Sequence, residues 1–385
     1  MRYFLLAGEA SGDNLGAMLI TEIQRLDPDA EFAFWGGDAM HAATGAEPLQ
    51  HLRDLAFMGF AQVVANLPTI LRLMRKAKRE LLAFKPDVLI PIDYPGFNLR
   101  LSKFAKQHGI RVNYYVSPQI WAWRQGRVHK VMAATDRVMC ILPFEQAFYA
   151  RFGYRVDYTG NPLPRRIDSY NGSGALSVET WKGRETSDSP LIALLPGSRK
   201  QEVDALLSVM LAACTQLQEQ HPTLKPVVAA ASTLSDEVLR ELSQKHGIAW
   251  VRDSYALLSR AEVACVASGT ATLETALFGV PQVVCYRAGA VSVALARRLI
   301  KVPYIALVNL ILDRAAVVEL IQEDCTAGRI ASELAALLKG PVRQRQLAAY
   351  EELRAKLQPY RASQTAAQLI VEDAGMREAS GTLAF

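Results

Sequence analysis

Short apolar runs of strand length alternate with amphipathic stretches of helical length along most of this chain, and the whole pattern runs twice. In the first half, residues 3–7, 31–35, 88–92, 112–116, 137–142 and 155–158 read as strands, with helical segments such as 15–26 and 97–108 between them. Near-continuous apolar strands separated by helices specify a parallel sheet covered on both faces. Between residues 160 and 190 Pro, Gly, Ser and charge replace the apolar periodicity. The alternation then restarts with strands at 191–195, 226–230, 248–251, 263–267 and 282–286. The expected class is therefore α/β, with two Rossmann-like domains. A chain of 385 residues is also longer than one hydrophobic core usually grows. The expected divisions are an N-terminal domain at 1–165, a C-terminal domain at 166–350, and a helical segment at 351–385 that returns to the N-terminal domain. No fixed period of 20–50 residues marks a repeat array. In such sheets ligands bind beyond the carboxyl ends of the strands.

Composition narrows the function classes. The five cysteines form no CxxC pair and read as reduced core thiols. The six histidines show no HxxH or HExxH spacing, so neither a bound metal nor a cofactor is expected. The opening MRYFLLAGEASGD puts Glu9 and Asp13 where an export signal needs apolar and small residues, and no uninterrupted run of about 18 apolar residues follows. A net charge of +5 matters only where it clusters.

The stretch VACVASGTATLETALF, residues 263–278, reads as strand, Ser-Gly-Thr turn and helix. Backbone N–H groups at the helix start, at Ser268, Gly269 and Thr270, suit phosphate oxygens, and Glu274 one turn on suits ribose hydroxyls. The same pattern also serves as a plain helix cap. LLPGSRKQEV, residues 194–203, offers Gly197, Ser198 and the cation of Arg199 in a second phosphate-competent turn, without the GxxxxGK[ST] form of a P-loop. Two such turns on one sheet favour a nucleotide diphosphate over either turn alone.

In the first half, AGEASGD (7–13) places Ser11, Gly12 and Asp13 in a turn that is not GxGxxG, and Ser11 or Asp13 could cap the following helix. PIDYPGFN (91–98) sets Asp93 just past a strand, as a general base at the cleft or as a helix cap. VSPQIWAWRQGR (116–127) carries Trp121 and Trp123 on one side of an extended segment beside Arg124, suited to an anionic, partly apolar ligand or to packing. In residues 55–84, Phe57, Met58 and Phe60 precede a helix with Ile70, Met74, Ala77 and Leu81 on one face and Arg72, Arg75, Lys76, Lys78 and Arg79 beside it. That is either a core-facing helix with a solvated basic side or a surface resting on an anionic membrane. The aromatic and basic residues do not interleave as a nucleic-acid-binding module requires.

AGEASGD, IDYPGFN, YVSPQIWAWRQGR, LPFE (142–145), LLPGSR, SGTATLE and VNLI (308–311) together, in this order, closely resemble lipid-A-disaccharide synthases over nearly the whole chain. The resemblance implies a GT-B fold with two Rossmann-like domains facing a cleft. It implies inverting transfer from UDP-2,3-diacylglucosamine to 2,3-diacylglucosamine 1-phosphate, giving a β-1,6 disaccharide and UDP. It further implies a peripheral position on the cytoplasmic face of the inner membrane, and it allows a homodimer. By the same resemblance Asp93 is the base, Gly197, Ser198, Arg199, Ser268, Gly269, Thr270, Glu274 and Asn309 meet the donor, and Ser11, Gly12, Asp13, Asn98, Trp121, Trp123 and Arg124 line the acceptor side. Phe57, Met58, Phe60, Arg72, Arg75 and Lys76 would touch the membrane. Gly96 stands where the family often has an aspartate, which leaves Asp93 without a carboxylate pair. Asn161 stands where many members have histidine and takes no catalytic role. UDP-N-acetylglucosamine 2-epimerases and the N-acetylglucosaminyltransferase of peptidoglycan lipid precursors share the architecture, and a non-catalytic nucleotide-sugar binder is the reading from another class.

Overall fold

The computed structural model describes residues 1–54, 67–123, 125–170, 179–180, 189–231, 234–287, 302–358 and 361–381. It divides into two units, one formed by Met1–Pro162 with Gln358–Phe385 and the other by Leu163–Leu357.

The first unit is built on β1 (Arg2–Ala7), β2 (Glu31–Gly36), β3 (Gln50–His51), β4 (Val88–Ile92), β5 (Arg111–Tyr115), β6 (Arg137–Cys140) and β7 (Asp157–Tyr158). All pair in parallel, in the order β3-β2-β1-β4-β5-β6-β7. β4 is buried at every residue, as a central strand must be when helices cover both faces. One face of the sheet packs against helix Ala10–Leu26 and against Ala366, Ala367 and Ile370 of helix Ala362–Gly381; the other packs against helices Leu67–Phe84 and Pro95–Gln107. The closing helix thus returns to the first sheet. Asp373 on that helix, only 4 % exposed, accepts two hydrogen bonds from Arg111 of β5, at 2.5 and 2.6 Å. The first unit ends at Pro162 and resumes at Gln358, against expected divisions after residues 165 and 350. Helix Pro341–Lys356 stays with the second unit because Gln346 and Tyr350 hydrogen-bond to Gln282 of that unit's sheet.

The second unit comprises β8 (Glu179–Thr180), β9 (Leu191–Leu195), β10 (Lys225–Ala229), β11 (Ala249–Val251), β12 (Ala261–Ala267), β13 (Gln282–Tyr286) and β14 (Val318–Ile321), in the order β14-β13-β12-β9-β10-β11-β8. Its strands are parallel except for the antiparallel edge strand β8. The short strands β3, β8 and β14 lie outside the expected set. Each is two to four residues at or beside a sheet edge, where apolar periodicity is too brief to show.

Candidate functional site

In the first sheet the connections part at β1 and β4: from β1 the chain passes to β2 on one side, and from β4 to β5 on the other. A crevice opens above the carboxyl ends of two strands at such a switch point. Ala7 pairs with Ile92 in register, so the turn that starts at Gly8 and the turn that starts at Asp93 leave the sheet side by side. Asp93 and Tyr94 both take the left-handed backbone conformation, at φ 46° and 51°. Two consecutive non-glycine residues hold such angles only where their surroundings fix them. The restraint is visible. The fully buried Asn98 donates from Nδ2 to the carbonyl of Asp93 at 2.7 Å and to those of Ile92 and Leu6 at 3.3 Å each. The Asp93 N–H donates to Tyr115 O at 3.1 Å, and the Tyr114 hydroxyl donates to Asp93 O.

Helix Pro95–Gln107 is capped by Tyr94, so Asp93 is not its cap. Burial pushes the Asp93 carboxyl up to about 6, the charge of Glu9 pushes the same way, and a backbone hydrogen bond from Tyr94 opposes both. A carboxylate with that basicity at a strand end can take a proton near neutral pH. Gly96 has open space where a Cβ would lie, so packing does not require glycine there.

The neighbouring turn is used differently from the expectation. Ser11 is exposed, Gly12 is buried against Ala7, and neither Ser11 nor Asp13 caps helix Ala10–Leu26, whose N-cap is Glu9. Asp13 is buried, and its carboxylate accepts from Gly37 N at 2.7 Å, Ala39 N at 3.0 Å and Met40 N at 3.2 Å. It therefore caps the next helix, Asp38–Thr44, and this is the role that its hydrogen bonds give it. Asn98 likewise acts on the backbone of the site.

The described residues from Ile120 to Arg127 are not extended. Ile120–Trp123 is a helical turn and Gln125–Arg127 a 3₁₀ turn. Trp121 is buried, edge-on to Phe144 at 4.9 Å, with its indole N–H donating to Glu145 Oε1 at 3.2 Å. Packing is thus the role of Trp121. The Trp123 side chain and Arg124, with Phe57, Met58 and Phe60, lie outside the described residues. Glu145, which sequence reasoning did not single out, also accepts from Leu142 N at 3.0 Å, and burial raises its carboxyl to about 8.

In the second unit, Gly197 turns at φ 117° and a Cβ there would lie 2.5 Å from the carboxylate of Glu202. That carboxylate accepts from Ser198 N at 3.1 Å and Arg199 N at 3.3 Å, so of the Gly197 and Ser198 N–H groups expected to hold phosphate it already takes that of Ser198. The Arg199 side chain is 72 % exposed, with its guanidinium 3.5 Å from Glu202. In the other turn the Ser268 N–H is likewise taken, by Cys285 O at 3.1 Å. Gly269, at φ 154°, caps helix Thr270–Leu277 without a side-chain hydrogen bond at that cap, and Ser268 is fixed through Oγ to Ile305 O at 2.8 Å. Asn309 is engaged by the fold: it is buried, and its amide donates to Val317 O at 2.9 Å and Glu319 at 2.8 Å while its oxygen accepts from Ala316 N and Val317 N. All four hydrogen-bonding positions of that amide are taken. Glu319 in turn accepts from the N–H groups of Ile305 and Ala306, so Asn309 supports the segment that anchors Ser268.

Glu274 borders a cleft of about 460 Å³. Tyr255 donates to Glu274 Oε1 at 2.8 Å, the guanidinium of Arg166 lies 5.3 Å from the Tyr255 ring, and Ser169, Tyr170, Arg252, Asp253 and Ser254 complete the lining. Burial raises the Glu274 carboxyl, while the Tyr255 hydrogen bond and the charge of Arg166 oppose that. Sequence reasoning missed Arg166 and Tyr170, which fall in the composition change read as a boundary. It also missed Tyr255, although Asp253-Ser254 after β11 has the form of a helix cap.

A family model described as lipid-A-disaccharide synthetase matches residues 3–372. Curated relatives named lipid-A-disaccharide synthase include one from Trichlorobacter lovleyi, 42 % identical over 88 % of each chain, and one from Myxococcus xanthus, 36 % identical over 96 % of this chain and 97 % of that one. Among solved structures, the chain is similar to the UDP-GlcNAc 2-epimerase from Neisseria meningitidis bound to UDP-GlcNAc, with a TM-score of 0.65 at 13 % identity covering 97 % and 99 % of the two chains. MurG from Acinetobacter baumannii aligns with a TM-score of 0.57 at 14 % identity over 96 % and 99 %. At those identities the structures show the fold, which is that of GT-B glycosyltransferases.

Proposed function

The chain belongs to the lipid-A-disaccharide synthase family, and from that premise we propose how its residues divide the work. The reaction joins UDP-2,3-diacylglucosamine to 2,3-diacylglucosamine 1-phosphate, forming lipid A disaccharide 1-phosphate and UDP. An α-linked donor and a β-linked product call for one in-line displacement. Asp93 takes the proton of the acceptor 6-hydroxyl as that oxygen attacks the anomeric carbon. The observation that carries this role is Asp93 itself: a carboxyl raised to about 6 by burial, on a backbone turn that Asn98 and Tyr114 lock at the switch point. A positioned base contributes about 10²- to 10⁴-fold.

As the bond to the leaving group breaks, negative charge grows on UDP. The start of helix Thr270–Leu277, with Ser268 and Gly269, meets the diphosphate together with Arg199. Glu274 receives the ribose hydroxyls, and the cleft between Arg166 and Tyr255 seats the nucleoside. Protein groups thus meet the phosphate charge, and turnover is expected in EDTA.

Both substrates carry acyl chains, and the surface of helix Leu67–Phe84 suits the membrane that holds them. Ile70, Met74, Ala77 and Leu81 are buried, which leaves Leu71, Arg72, Arg75, Arg79 and Leu82 exposed along the other side. Lys76 is not part of that stripe, because its ammonium donates to Leu49 O at 2.7 Å and Gln50 Oε1 at 2.6 Å. A basic and apolar stripe of this kind fits the anionic cytoplasmic face of the inner membrane. Among the described residues no helix is long and apolar enough to cross a membrane.

The test is to incubate the protein with both substrates in detergent micelles with EDTA and follow the disaccharide phosphate by mass spectrometry, beside Asp93→Ala. Product from the wild type and a loss of about 10²-fold or more in the variant is the expected result. An equally active variant removes Asp93 from the mechanism.

A further inference from the structure

We propose that Tyr255 is a positioning residue of the donor site: its hydroxyl holds one oxygen of the Glu274 carboxylate, so that the other is presented to the ribose hydroxyls of the nucleotide. This rests on the reading of Glu274 given above.

The contact is direct. The Tyr255 hydroxyl donates to Glu274 Oε1 at 2.8 Å, and among the described residues this is the one hydrogen bond that the carboxylate takes. Burial, and after it the charge of Glu274, raises the Tyr255 phenol from its ordinary value, so the hydroxyl keeps its proton and stays the donor. Both side chains border the same cleft. The last torsion of a glutamate, which turns its carboxylate, is broad. A carboxylate held at one oxygen no longer samples that range, and freedom that would be lost on meeting the ribose is lost already in the free protein.

Tyr255 can hold Glu274 only if it is itself fixed. Its backbone N–H and that of Ala256 donate to Asp253 Oδ1 at 2.9 and 3.0 Å, which seats Tyr255 in the first turn of helix Ser254–Leu258. The other oxygen of the same aspartate accepts from the Tyr170 hydroxyl at 2.9 Å, and the Tyr170 ring stands edge-on to that of Tyr255 at 5.6 Å. Phe278 meets the Tyr255 ring at 5.0 Å. It directly follows helix Thr270–Leu277 and donates its N–H to Glu274 O at 3.0 Å. Tyr255 therefore bears on one turn of the donor helix twice, with its ring on Phe278 and its hydroxyl on Glu274. Tyr170 and Phe278 need only a ring at position 255. The hydroxyl adds a hydrogen bond at the edge of a cleft, where water would solvate Glu274 without it, so stability alone gives it little to do.

The experiment titrates the wild type, Tyr255→Phe and Glu274→Gln with UDP, 2′-deoxy-UDP and 3′-deoxy-UDP by calorimetry. The wild type should bind at least one deoxy analogue about tenfold or more weaker than UDP, and Glu274→Gln should lose most of that difference. Tyr255→Phe keeps the ring and removes only the hydroxyl. It should weaken UDP by about three- to tenfold and leave that analogue nearly unchanged, so that discrimination falls by the same factor. A purely structural role would weaken every ligand alike. Wild-type discrimination in Tyr255→Phe therefore overturns the proposal, and if Glu274→Gln has lost its discrimination, Glu274 stands as the ribose group without Tyr255. A wild type that binds both deoxy analogues as tightly as UDP ends the ribose reading of Glu274 and the proposal with it.

Discussion

A Cβ built on Gly8 lies 2.3 Å from Cγ of Tyr94 and 2.5 and 2.6 Å from the two Cδ atoms of the same ring. The turn after β1 and the turn after β4 are therefore packed with no room for a side chain at their contact. Gly8 does not have a positive φ, so alanine is compatible with its backbone and the cost of substitution is steric. Gly8→Ala should displace the Tyr94 ring and with it the adjoining Asp93. An error of about 1 Å in a catalytic group can cost on the order of 10²-fold, and overpacking of this kind costs about 1–3 kcal/mol. The expected outcome is kcat/KM down by at least about tenfold with a stability loss in that range, read from initial rates and urea unfolding. Wild-type rates in Gly8→Ala would show that the contact does not position the base.

Asp93 is also a stability statement. Its carboxyl is raised from 3.8 to about 6 in the folded chain, chiefly by burial. Above pH 6 the folded state must carry a charge that the unfolded state solvates better, so the group opposes folding there. Below the unfolded value the carboxyl is neutral in both states and the penalty is gone. Asp93→Asn should accordingly gain up to about 3 kcal/mol at pH 8, with the gain fading between about pH 6 and 4, while activity falls by about 10²-fold or more. Urea unfolding at pH 8 and pH 4.5 gives both arms. An Asn variant no more stable than the wild type at pH 8 would contradict burial as the cause.

The two-sheet α/β plan was legible because each central strand is a run of buried apolar residues and each long helix has an apolar face. Ile70, Met74, Ala77 and Leu81 show how directly spacing reads as burial. Less legible was which polar side chains the fold itself takes up. Asp13 and Asn309 sit in motifs that resemble site loops, yet Asp13 is held by backbone N–H groups more than 20 residues away, and Asn309 by backbone groups seven and eight residues away and by the Glu319 carboxylate, partners that a linear pattern does not reveal. Glu202 takes the N–H groups of Ser198 and Arg199 from only three or four residues off, where the turn is read for its glycine, serine and arginine and not for a carboxylate of its own helix. Arg166 and Tyr255 are brought to one cleft by strands and helices separated by many residues, and no local motif announces them.

Asn309 and Glu274 should consequently fail in different ways. Asn309→Ala removes four hydrogen bonds inside the second unit and leaves buried donors and acceptors unpaired, each costing about 1–3 kcal/mol. Its main effect should be on unfolding, with several kcal/mol lost and donor binding weakened only as a consequence. Glu274→Ala removes one hydrogen bond from Tyr255 at the edge of a cleft. Its stability should stay within about 1–2 kcal/mol of the wild type, while UDP affinity falls about 10- to 100-fold, the worth of hydrogen bonds to a charged group. Calorimetric titration with UDP beside thermal unfolding separates the two. UDP bound normally by Glu274→Ala would remove that carboxylate from the donor site.

The basic stripe makes a prediction about place. Arg72, Arg75 and Arg79 are exposed on helix Leu67–Phe84, with Leu71 47 % and Leu82 40 % exposed beside them. Each basic residue near an anionic lipid surface is worth about 1 kcal/mol. Replacing all three by glutamine should weaken binding to phosphatidylethanolamine vesicles containing phosphatidylglycerol by about 100-fold, and added salt should weaken the wild type in the same direction. Lys76 supplies the internal comparison. Its ammonium ties the helix to Leu49 and Gln50 and stands 3.7 Å from Glu80, so Lys76→Gln should lower stability and leave vesicle binding near wild type. Sedimentation with vesicles, with and without the anionic lipid, reads both variants. If the triple variant sediments as the wild type does, the stripe is a solvated helix face and the membrane contact lies elsewhere.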